Sequence, residues 1–216
     1  NSEHANINYA EGCIGIRNFG FRSGKQYMLV NGNYEQGATD PIVIDLQHLD
    51  LEYILALARL NVVEFGGHAT GRVMVRQLHD GSPWASAIVN VPDLTFNRAP
   101  LGNGNVTITW DHPRRDILID GDIREPGMGF TIVKGYVDPV HRNLDLQTES
   151  LNTQLGFINK YTEGIFENIK GRATGHCRIY GGFRTINFEG RERGHAEACI
   201  PVTGVTYKVE NADIEI

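Results

Sequence analysis

The stretch Gly171-Arg172-Ala173-Thr174-Gly175-His176-Cys177-Arg178-Ile179-Tyr180 alternates small or apolar residues with polar ones. Its odd-numbered positions from Ala173 to Ile179 are small or apolar, and its even-numbered positions from Thr174 to Tyr180 carry polar groups. Alternation with a period of two is typical of a β-strand that has one dry face and one wet face. The stretch therefore predicts an amphipathic strand.

The same alternation continues towards the end of the chain. It returns in residues 186–189, 195–200 and 205–210, and glycines at Gly181-Gly182, Gly190, Gly194 and Gly204 punctuate it. Successive amphipathic strands joined by short turns form an antiparallel meander, in which the apolar side chains share one surface. We therefore expect a sheet whose apolar surface needs a cover.

The earlier part of the chain has the same β pattern. Further strands are predicted in residues 7–34, 42–46, 67–76, 85–96, 106–110, 117–123, 131–137 and 144–146, with turn signals such as Asp111-His112-Pro113 between them. The predicted fold class is mainly β, built as an antiparallel meander.

Two segments break this pattern and predict helices. Asp50 is suited to cap a helix of about three turns that runs to Arg59. The apolar stripe of that helix consists of Leu51, Ile54, Leu55 and Ala58. We expect this helix to cover one end or edge of the sheet; the alternative is that it lies on the apolar face and is displaced by lipid. Residues 149–168 predict one or two further short helices.

Composition and charge exclude some functions. The 216 residues carry a formal net charge of -6, and the pI is near 5.7. Since no cluster of Lys or Arg forms a basic stripe, we expect no nucleic-acid partner. No segment approaches the roughly 18 apolar residues of a membrane span. Because the chain starts without Met and finishes within a strand-like pattern, we expect it to be a piece of a longer protein.

Two halves of the chain match each other. Ile44-Asp45-Leu46-Gln47 corresponds to Leu144-Asp145-Leu146-Gln147 at an offset of 100, and Gly67-His68-Ala69-Thr70-Gly71 corresponds to Gly171-Arg172-Ala173-Thr174-Gly175 at an offset of 104. In each half a strand is followed by a predicted helix and then by the Gly-x-Ala-Thr-Gly strand. We therefore interpret residues 1–216 as one β-rich region with two pseudo-repeats, about 30–130 and 131–216, that stack in an extended sheet.

The Gly-x-Ala-Thr-Gly strands and the closing stretch Val202-Thr203-Gly204-Val205-Thr206-Tyr207-Lys208-Val209 resemble the TamB (translocation and assembly module) family, within the AsmA-like group of cell-envelope proteins. The resemblance covers most of the chain and includes the helix that follows an Ile-Asp-Leu strand. It implies a long, curled β-sheet, taco-like in cross-section, with an apolar inner trough and one or two short helices.

The resemblance also implies a function and a location. TamB-like proteins are anchored in the inner membrane by an N-terminal helix and reach across the periplasm. They are linked to lipid transport to the outer membrane, outer-membrane biogenesis and protein secretion. This chain would then be a periplasmic segment of such a bridge, without enzymatic activity or cofactor. The expected partners are phospholipid, outer-membrane assembly proteins, and the inner membrane through an anchor outside this chain.

The alternation itself predicts a surface that needs an apolar occupant. Such a trough would exceed the few hundred Å² of contiguous apolar surface that monomers usually expose. Acyl chains would suit it, because each buried CH₂ contributes about 0.8 kcal/mol and a smooth aliphatic wall lets a chain slide. The predicted trough residues are Val73, Val75, Val89, Val106, Ile108, Ile117, Ile119 and Ile179.

Other chemistry has weaker support in the sequence. Asp120 and Asp122 could form a glycosidase pair, but alternation places them on a wet strand face where acidic residues are common. No zinc-ligand spacing occurs, and the adjacent His176 and Cys177 point to opposite strand faces. A disulfide between Cys177 and Cys199 stays an open alternative. The main competing hypothesis is a secreted or surface module that binds glycan or protein and whose two sheets are closed on each other as a β-sandwich.

Overall fold

A computed structural model of the chain describes residues 5–10, 13–35, 40–57, 64–78, 82–111, 113–125 and 129–215. These residues contain α1 (Leu51–Leu57) and a 3-10 helix (Gly156–Tyr161). Their strands are β1 (Asn6–Ala10), β2 (Cys13–Ser23), β3 (Gln26–Glu35), β4 (Ile42–Asp50), β5 (Phe65–Gly66), β6 (His68–Gln77), β7 (Pro83–Phe96), β8 (Ala99–Asp111), β9 (Asp116–Arg124), β10 (Phe130–Asp138), β11 (Asn143–Gln154), β12 (Glu167–Gly182), β13 (Thr185–Ile200) and β14 (Val205–Glu215).

All of these strands belong to one antiparallel sheet. The sheet follows chain order from β1 to β14, and only the short β5, which pairs with β7, lies outside this path. The predicted fold class is confirmed, because the described chain is a mainly β, curled meander that does not close on itself. A twisted open sheet rarely exceeds about ten strands without curling, and this sheet is longer than that limit.

The strand registers sort the side chains onto two faces. Directly paired residues of antiparallel strands point to the same side of the sheet. We call one side the inner face; it carries a row of apolar residues and one glycine that crosses eleven strands from β2 to β13. This inner row is Phe19, Val30, Ile44, Val73, Ala87, Ile108, Ile119, Gly135, Leu146, Ile179 and Phe188.

The opposite side, the outer face, is polar. One residue further along the same strands, the paired positions form a row of mainly charged or hydrogen-bonding residues. This outer row is Asp45, Arg72, Ile88, Thr107, Asp120, Lys134, Gln147, Arg178 and Glu189. The sheet therefore has a dry face and a wet face along most of its width.

The sheet curls toward its inner face. The ring centroid of Tyr161, in the 3-10 helix, lies 6.4 Å from that of Phe96 and 5.2 Å from that of Phe188. The rings of Phe96 in β7 and Phe188 in β13 are thus no more than about 12 Å apart, although six interstrand steps would place them about 29 Å apart in a flat sheet. The inner face is therefore the wall of a trough.

Glycines on the inner face permit this tight curl. A Cβ at Gly71 in β6 would overlap the carbonyl oxygen of Ile88 in β7. A Cβ at Gly175 in β12 would likewise overlap the carbonyl oxygen of Arg191 in β13. Because any other residue would push the neighbouring strands apart, glycine at these positions lets the strands approach closely.

The first predicted helix is present with its predicted cap. The backbone N–H of Glu52 donates to Asp50 Oδ1 at 2.9 Å, which satisfies one of the free N–H groups at the start of α1. The expected final residues of the helix, Ala58 and Arg59, lie outside the described residues. Asp50 therefore lies where the strand pattern of β4 ends and the helical pattern of α1 begins.

The second helical prediction, for residues 149–168, is confirmed only in Gly156–Tyr161. Residues 149–154 continue β11, residues 167 and 168 begin β12, and only Gly156–Tyr161 is helical, as a 3-10 helix. Pairing with β12 holds the first part extended, since Ser150 pairs with Gly175 and Thr153 with Ala173. Backbone hydrogen bonds to a neighbouring strand override a weak local preference for helix.

A bulge recurs at equivalent places in β4 and β11. His48 in β4 and Asn152 in β11 both have a positive φ, 55° and 53°. The backbone N–H of His48 donates to Thr70 Oγ1 at 3.0 Å, and that of Asn152 donates to Thr174 Oγ1 at 2.9 Å. His48 and Asn152 are 104 residues apart, and so are Thr70 and Thr174. The bulges bend their strands and increase the local twist.

The chain also leaves each bulged strand in the same way. The backbone N–H of Leu51 donates to the carbonyl of Gly67 at 2.9 Å, and that of Leu155 donates to the carbonyl of Gly171 at 3.1 Å. Leu51 and Leu155 are 104 residues apart, and so are Gly67 and Gly171. The structure therefore aligns β4 with β11 at an offset of 104. The sequence match of Ile44-Asp45-Leu46-Gln47 gave an offset of 100. A helix follows at both places and lies at the same end of the strands, which we call the helical rim.

The molecule exposes more surface than a compact protein of its size. Its accessible area is 13886 Å², whereas a compact protein of 24.0 kDa would expose about 9,900 Å². A single curled sheet has this property because one layer cannot bury both of its faces. Among the described residues, none of the helices has the length and apolar character needed to span a bilayer.

Candidate functional site

The candidate site is the trough formed by the inner face. The register places all eight predicted trough residues on this face. Four of the eight belong to the inner row: Val73, Ile108, Ile119 and Ile179. The neighbouring row on the side of the helical rim contains Val89 and Val106, which pair with each other. The neighbouring row on the opposite side contains Val75 and Ile117. The period-two pattern therefore identified which side chains share a surface.

These residues differ in how deeply they are buried. Val89 is 9% exposed, whereas Val75 is 38% exposed, and the other six are half-buried. No large side chain among the described residues falls below 2% relative exposure. A domain with a sealed core would bury many side chains completely. The trough is therefore lined with apolar groups that the sheet itself leaves partly open.

Two clusters cover part of the trough. At the helical rim, Leu51 and Ile54 of α1 pack on a buried cluster that consists of Ala69, Ala87, Val89 and Val91. Towards the opposite rim, Phe183, in the turn between β12 and β13, packs on Val137 and Leu144. The helix thus rests on the inner face at the helical rim, and its displacement by lipid stays a prediction.

Aromatic rings bridge the trough at the helical rim. Phe96 contacts Phe65 of β5 with ring centroids 4.8 Å apart, and contacts Phe157 and Tyr161 of the 3-10 helix at 5.9 and 6.4 Å. Tyr161 reaches Phe188 of the inner row. The ion pair of Lys160 Nζ with Glu64 Oε1, at 2.8 Å, holds the 3-10 helix to the segment before β5.

The sequence did not single out these bridging aromatic residues. Phe65 lies on the short β5, Phe157 and Tyr161 lie on the 3-10 helix, and Phe96 and Phe188 lie in β7 and β13. The sequence predicted Phe96 and Phe188 in strands, and Phe157 and Tyr161 in a helical region, but alternation gave no sign that their rings would meet. Such contacts between distant elements depend on the curl of the sheet, which brings large aromatic rings together.

Ion pairs lie on the outer face. Arg178 Nη2 and Asp145 Oδ2 are 2.6 Å apart, and Arg193 Nε and Asp213 Oδ1 are 2.7 Å apart. The Arg178 hydrogen bond lowers the pKa of Asp145, and the same interaction raises the pKa of Arg178. Because these side chains are partly or fully solvated, such pairs contribute little to stability and mainly keep the outer face wet.

A carboxyl group on the inner face was missed by the sequence analysis. Glu192 in β13 pairs with Gly175 in β12, two residues from the pair of Cys177 with Gly190. Its two carboxylate oxygens lie 3.1 and 2.9 Å from Ser150 Oγ in β11. Burial raises the pKa of Glu192, against the opposing effect of the Ser150 hydrogen bond. Alternation could have placed Glu192 on this face, because it shares the parity of Phe188.

The residues considered for other chemistry lie apart from one another. Asp120 lies on the outer face within 3.3 Å of Lys134 Nζ, and Asp122 lies within 3.0 Å of Arg124 Nε. His176 and Cys177 point to opposite faces of β12, as predicted from alternation. In the part of the chain that is described, His, Cys, Asp and Glu side chains form no group of three that could hold a metal ion.

The three cysteines do not pair with one another. Cys13, Cys177 and Cys199 are all free and half-buried. Burial raises the pKa of the Cys177 thiol, so this group is held in its neutral form on the apolar face. The Cys177–Cys199 disulfide, which the sequence left open as an alternative, is therefore absent from the structure.

Two open cavities lie outside the inner row. One, of about 570 Å³, borders α1 and is lined by residues that include Tyr53, Leu55 and Phe65. The other, of about 700 Å³, lies on the outer face, and Asn90, Asn105, Asp120 and Asp122 contribute to its lining. Neither brings together a nucleophile and a base, so neither suggests a reaction class.

The two tryptophans lie on opposite faces. Trp110 in β8 pairs with Ile117 on the inner face, and its Nε1 is buried without a hydrogen-bond partner among the described residues. Trp84 in β7 pairs with Arg76 on the outer face, and the Arg76 guanidinium carbon lies 4.5 Å from the centre of its ring. The two indoles therefore report on different sides of the sheet.

No family model, no curated protein and no solved structure matches this chain.

Proposed function

We propose that the inner face shelters the acyl chains of phospholipids, and that the chain is a non-enzymatic segment of a TamB-like bridge across the periplasm. The observation that carries this proposal is the inner row, in which eleven neighbouring strands present an apolar residue or glycine to a trough without a second sheet. The alternative of a β-sandwich module requires two sheets packed on each other, and the described chain has one.

The energetics favour loading and unloading rather than tight capture. Ten methylenes moved from water to the trough would contribute about 8 kcal/mol. A lipid in a bilayer already has its acyl chains in an apolar environment, so exchange between bilayer and trough is close to neutral. The trough would therefore protect acyl chains from water while allowing them to slide, with the direction of transport set by other proteins.

The resemblance to TamB-like proteins supplies the cellular part of the proposal. It places the chain in the periplasm of a double-membraned cell, attached to the inner membrane through a segment outside residues 1–216. Lipid delivery to the outer membrane and contact with outer-membrane assembly proteins follow from the same resemblance. The apolar trough supports the lipid-binding part of the proposal.

The two tryptophans provide a direct test of where lipid binds. Trp84→Phe leaves Trp110 on the inner face as the single fluorophore, and Trp110→Phe leaves Trp84 on the outer face. Phospholipid with brominated acyl chains quenches an indole only on close contact. We expect quenching in the Trp84→Phe variant and little in the Trp110→Phe variant. Equal quenching of both, or none in Trp84→Phe, would contradict an inner-face site.

A matched pair of substitutions in β9 tests the same site by a second readout. Ile119→Glu places a charge in the inner row, whereas Leu118→Glu places the same charge on the outer face, where Leu118 is 38% exposed. We expect co-purified phospholipid, measured by mass spectrometry of organic extracts, to fall only in Ile119→Glu. If Ile119→Glu does not fold by circular dichroism, Val75→Glu replaces it, because Val75 is 38% exposed on the same face.

A further inference from the structure

Glu192 stands out on the inner face by its charge. Among the paired strand positions of the described residues, Lys and Arg fall on the outer face, and Glu192 is the one Asp or Glu on the inner face. A carboxyl group at such a position carries a desolvation cost unless it has a partner. The hydrogen bond from Ser150 offsets part of this cost, and a positively charged ligand group would offset more of it.

The space around Glu192 is shaped so that its carboxyl group can reach a second strand. Gly175 lies between Glu192 and Ser150 in the register of β11, β12 and β13. A Cβ at Gly175 would lie 2.8 Å from Glu192 Oε2 and would block the contact with Ser150. Glycine at this position thus allows the Glu192 side chain to cross β12 and meet a hydroxyl group.

Further hydroxyl groups extend this polar area toward the helical rim. Thr131 pairs with Ser150, and Thr131 Oγ1 lies 2.6 Å from Thr153 Oγ1. Thr148, one row closer to the inner row, donates its hydroxyl to the carbonyl of Cys177. We call Thr131, Thr148, Ser150, Thr153 and Glu192 the polar subsite. The inner row itself carries no such groups, so polarity changes along the length of the strands.

We propose that the polar subsite receives the headgroup of a phospholipid that carries an ammonium group, while the acyl chains of that lipid lie along the inner row. This inference rests on the proposed function. Glu192 is four residues from Phe188 of the inner row, or about 13 Å along β13. That spacing separates a headgroup from most of its acyl chain, so one lipid can contact both areas.

Charge determines which headgroup the subsite favours. A carboxylate accepts charge-assisted hydrogen bonds from an ammonium group, and it repels a headgroup that carries only negative charge. Burial raises the pKa of Glu192, and a bound ammonium would lower it again, because an opposite charge favours the ionised carboxylate. The formal net charge of -6 on the chain acts in the same direction, against anionic lipids.

Competition between two lipids with the same acyl chains tests this inference. The 216-residue chain is mixed with equal amounts of dioleoyl phosphatidylethanolamine and dioleoyl phosphatidylglycerol in detergent, and the bound lipids are counted by native mass spectrometry. We expect the ethanolamine lipid to be favoured about tenfold, the value of a charge-assisted hydrogen bond. Glu192→Gln is expected to reduce this preference to near parity, because the amide no longer pairs with the ammonium group.

Glu189→Gln is the matched control, because it removes the same charge from the same strand on the outer face. We expect it to keep the wild-type preference. A wild-type protein that binds both lipids equally, or a preference that survives in Glu192→Gln, overturns the headgroup assignment and leaves acyl-chain binding intact. A loss of preference in Glu189→Gln as well would assign the effect to net charge and also overturn it. If the wild type binds neither lipid, the proposed function itself fails.

Discussion

Replacement of Gly71 by alanine is expected to destabilise the sheet at a point where β6 and β7 approach closely. The new Cβ would overlap the carbonyl oxygen of Ile88 and would lie 2.8 Å from the Cα of Val89. Both are backbone atoms, so no side-chain rotation can relieve the contact. The strands must separate, which weakens their hydrogen bonds and opens the curl.

The magnitude follows from two opposing effects. Overpacking of a well-packed position costs about 1–3 kcal/mol, whereas alanine restricts the unfolded chain and returns about 0.4–1 kcal/mol. We expect Gly71→Ala to lower the free energy of unfolding by about 1–2 kcal/mol. For a chain of 216 residues each kcal/mol corresponds to about 2–4 °C in Tm.

Gly182→Ala is the control for this prediction. A Cβ at Gly182, at the end of β12, would have the carbonyl oxygen of Arg142 as its nearest neighbour, at 3.9 Å. It keeps the gain from the unfolded state without the overlap, so it should equal or exceed the wild type in stability. Urea denaturation followed by far-UV circular dichroism compares the variants. If Gly71→Ala is as stable as Gly182→Ala, then the strands are not held together as tightly as described.

Three further outcomes are expected. Burial raises the pKa of Glu192, so ionisation of this carboxyl group destabilises the folded state. Glu192→Gln should therefore raise Tm at pH 7. The gain in Tm should disappear below pH 4.5, where the wild-type carboxyl group is neutral in the folded and unfolded states. The backbone N–H of His141 donates to Asp138 and lowers the pKa of its carboxyl group, so the ionised Asp138 stabilises the fold above pH 3.8 and this effect is lost at lower pH. Asp138→Ala should lower the urea midpoint at pH 7, and the difference in midpoint from the wild type should narrow in acid. Tyr161→Ala removes the ring that contacts Phe188, and hydrogen exchange in residues 156–161 should become faster while exchange in the middle of β9 stays unchanged; equal protection in both proteins would show that this ring does not hold the 3-10 helix in place.

The sequence predicted the strands well because their signal is local. In β12, Ala173, Gly175 and Cys177 alternate with polar residues, and this alternation alone gives the strand and its two faces. The same reasoning placed the trough residues on one side of the sheet. It also located the start of α1, because Asp50 combines a capping side chain with the apolar stripe that follows it.

Other features depend on partners that are distant in sequence. Residues 149–154 contain ordinary helix formers, yet they extend β11 because β12 supplies backbone partners for Ser150 and Thr153. The offset of 100 between Ile44 and Leu144 came from similar residue types, whereas the positions of the bulges at His48 and Asn152 give an offset of 104. Local similarity could not distinguish the two, since a strand pattern repeats every two residues.

The sequence by itself determined that the chain forms amphipathic strands in an antiparallel order and that one face is apolar, because a period of two depends only on neighbouring residues. The tertiary structure decided that this face curls into a trough, since the approach of Phe96 to Phe188 depends on strand pairing and curl over a long stretch of chain. It also decided that Glu192 meets Ser150 across Gly175, a contact between three strands that alternation within one strand cannot specify.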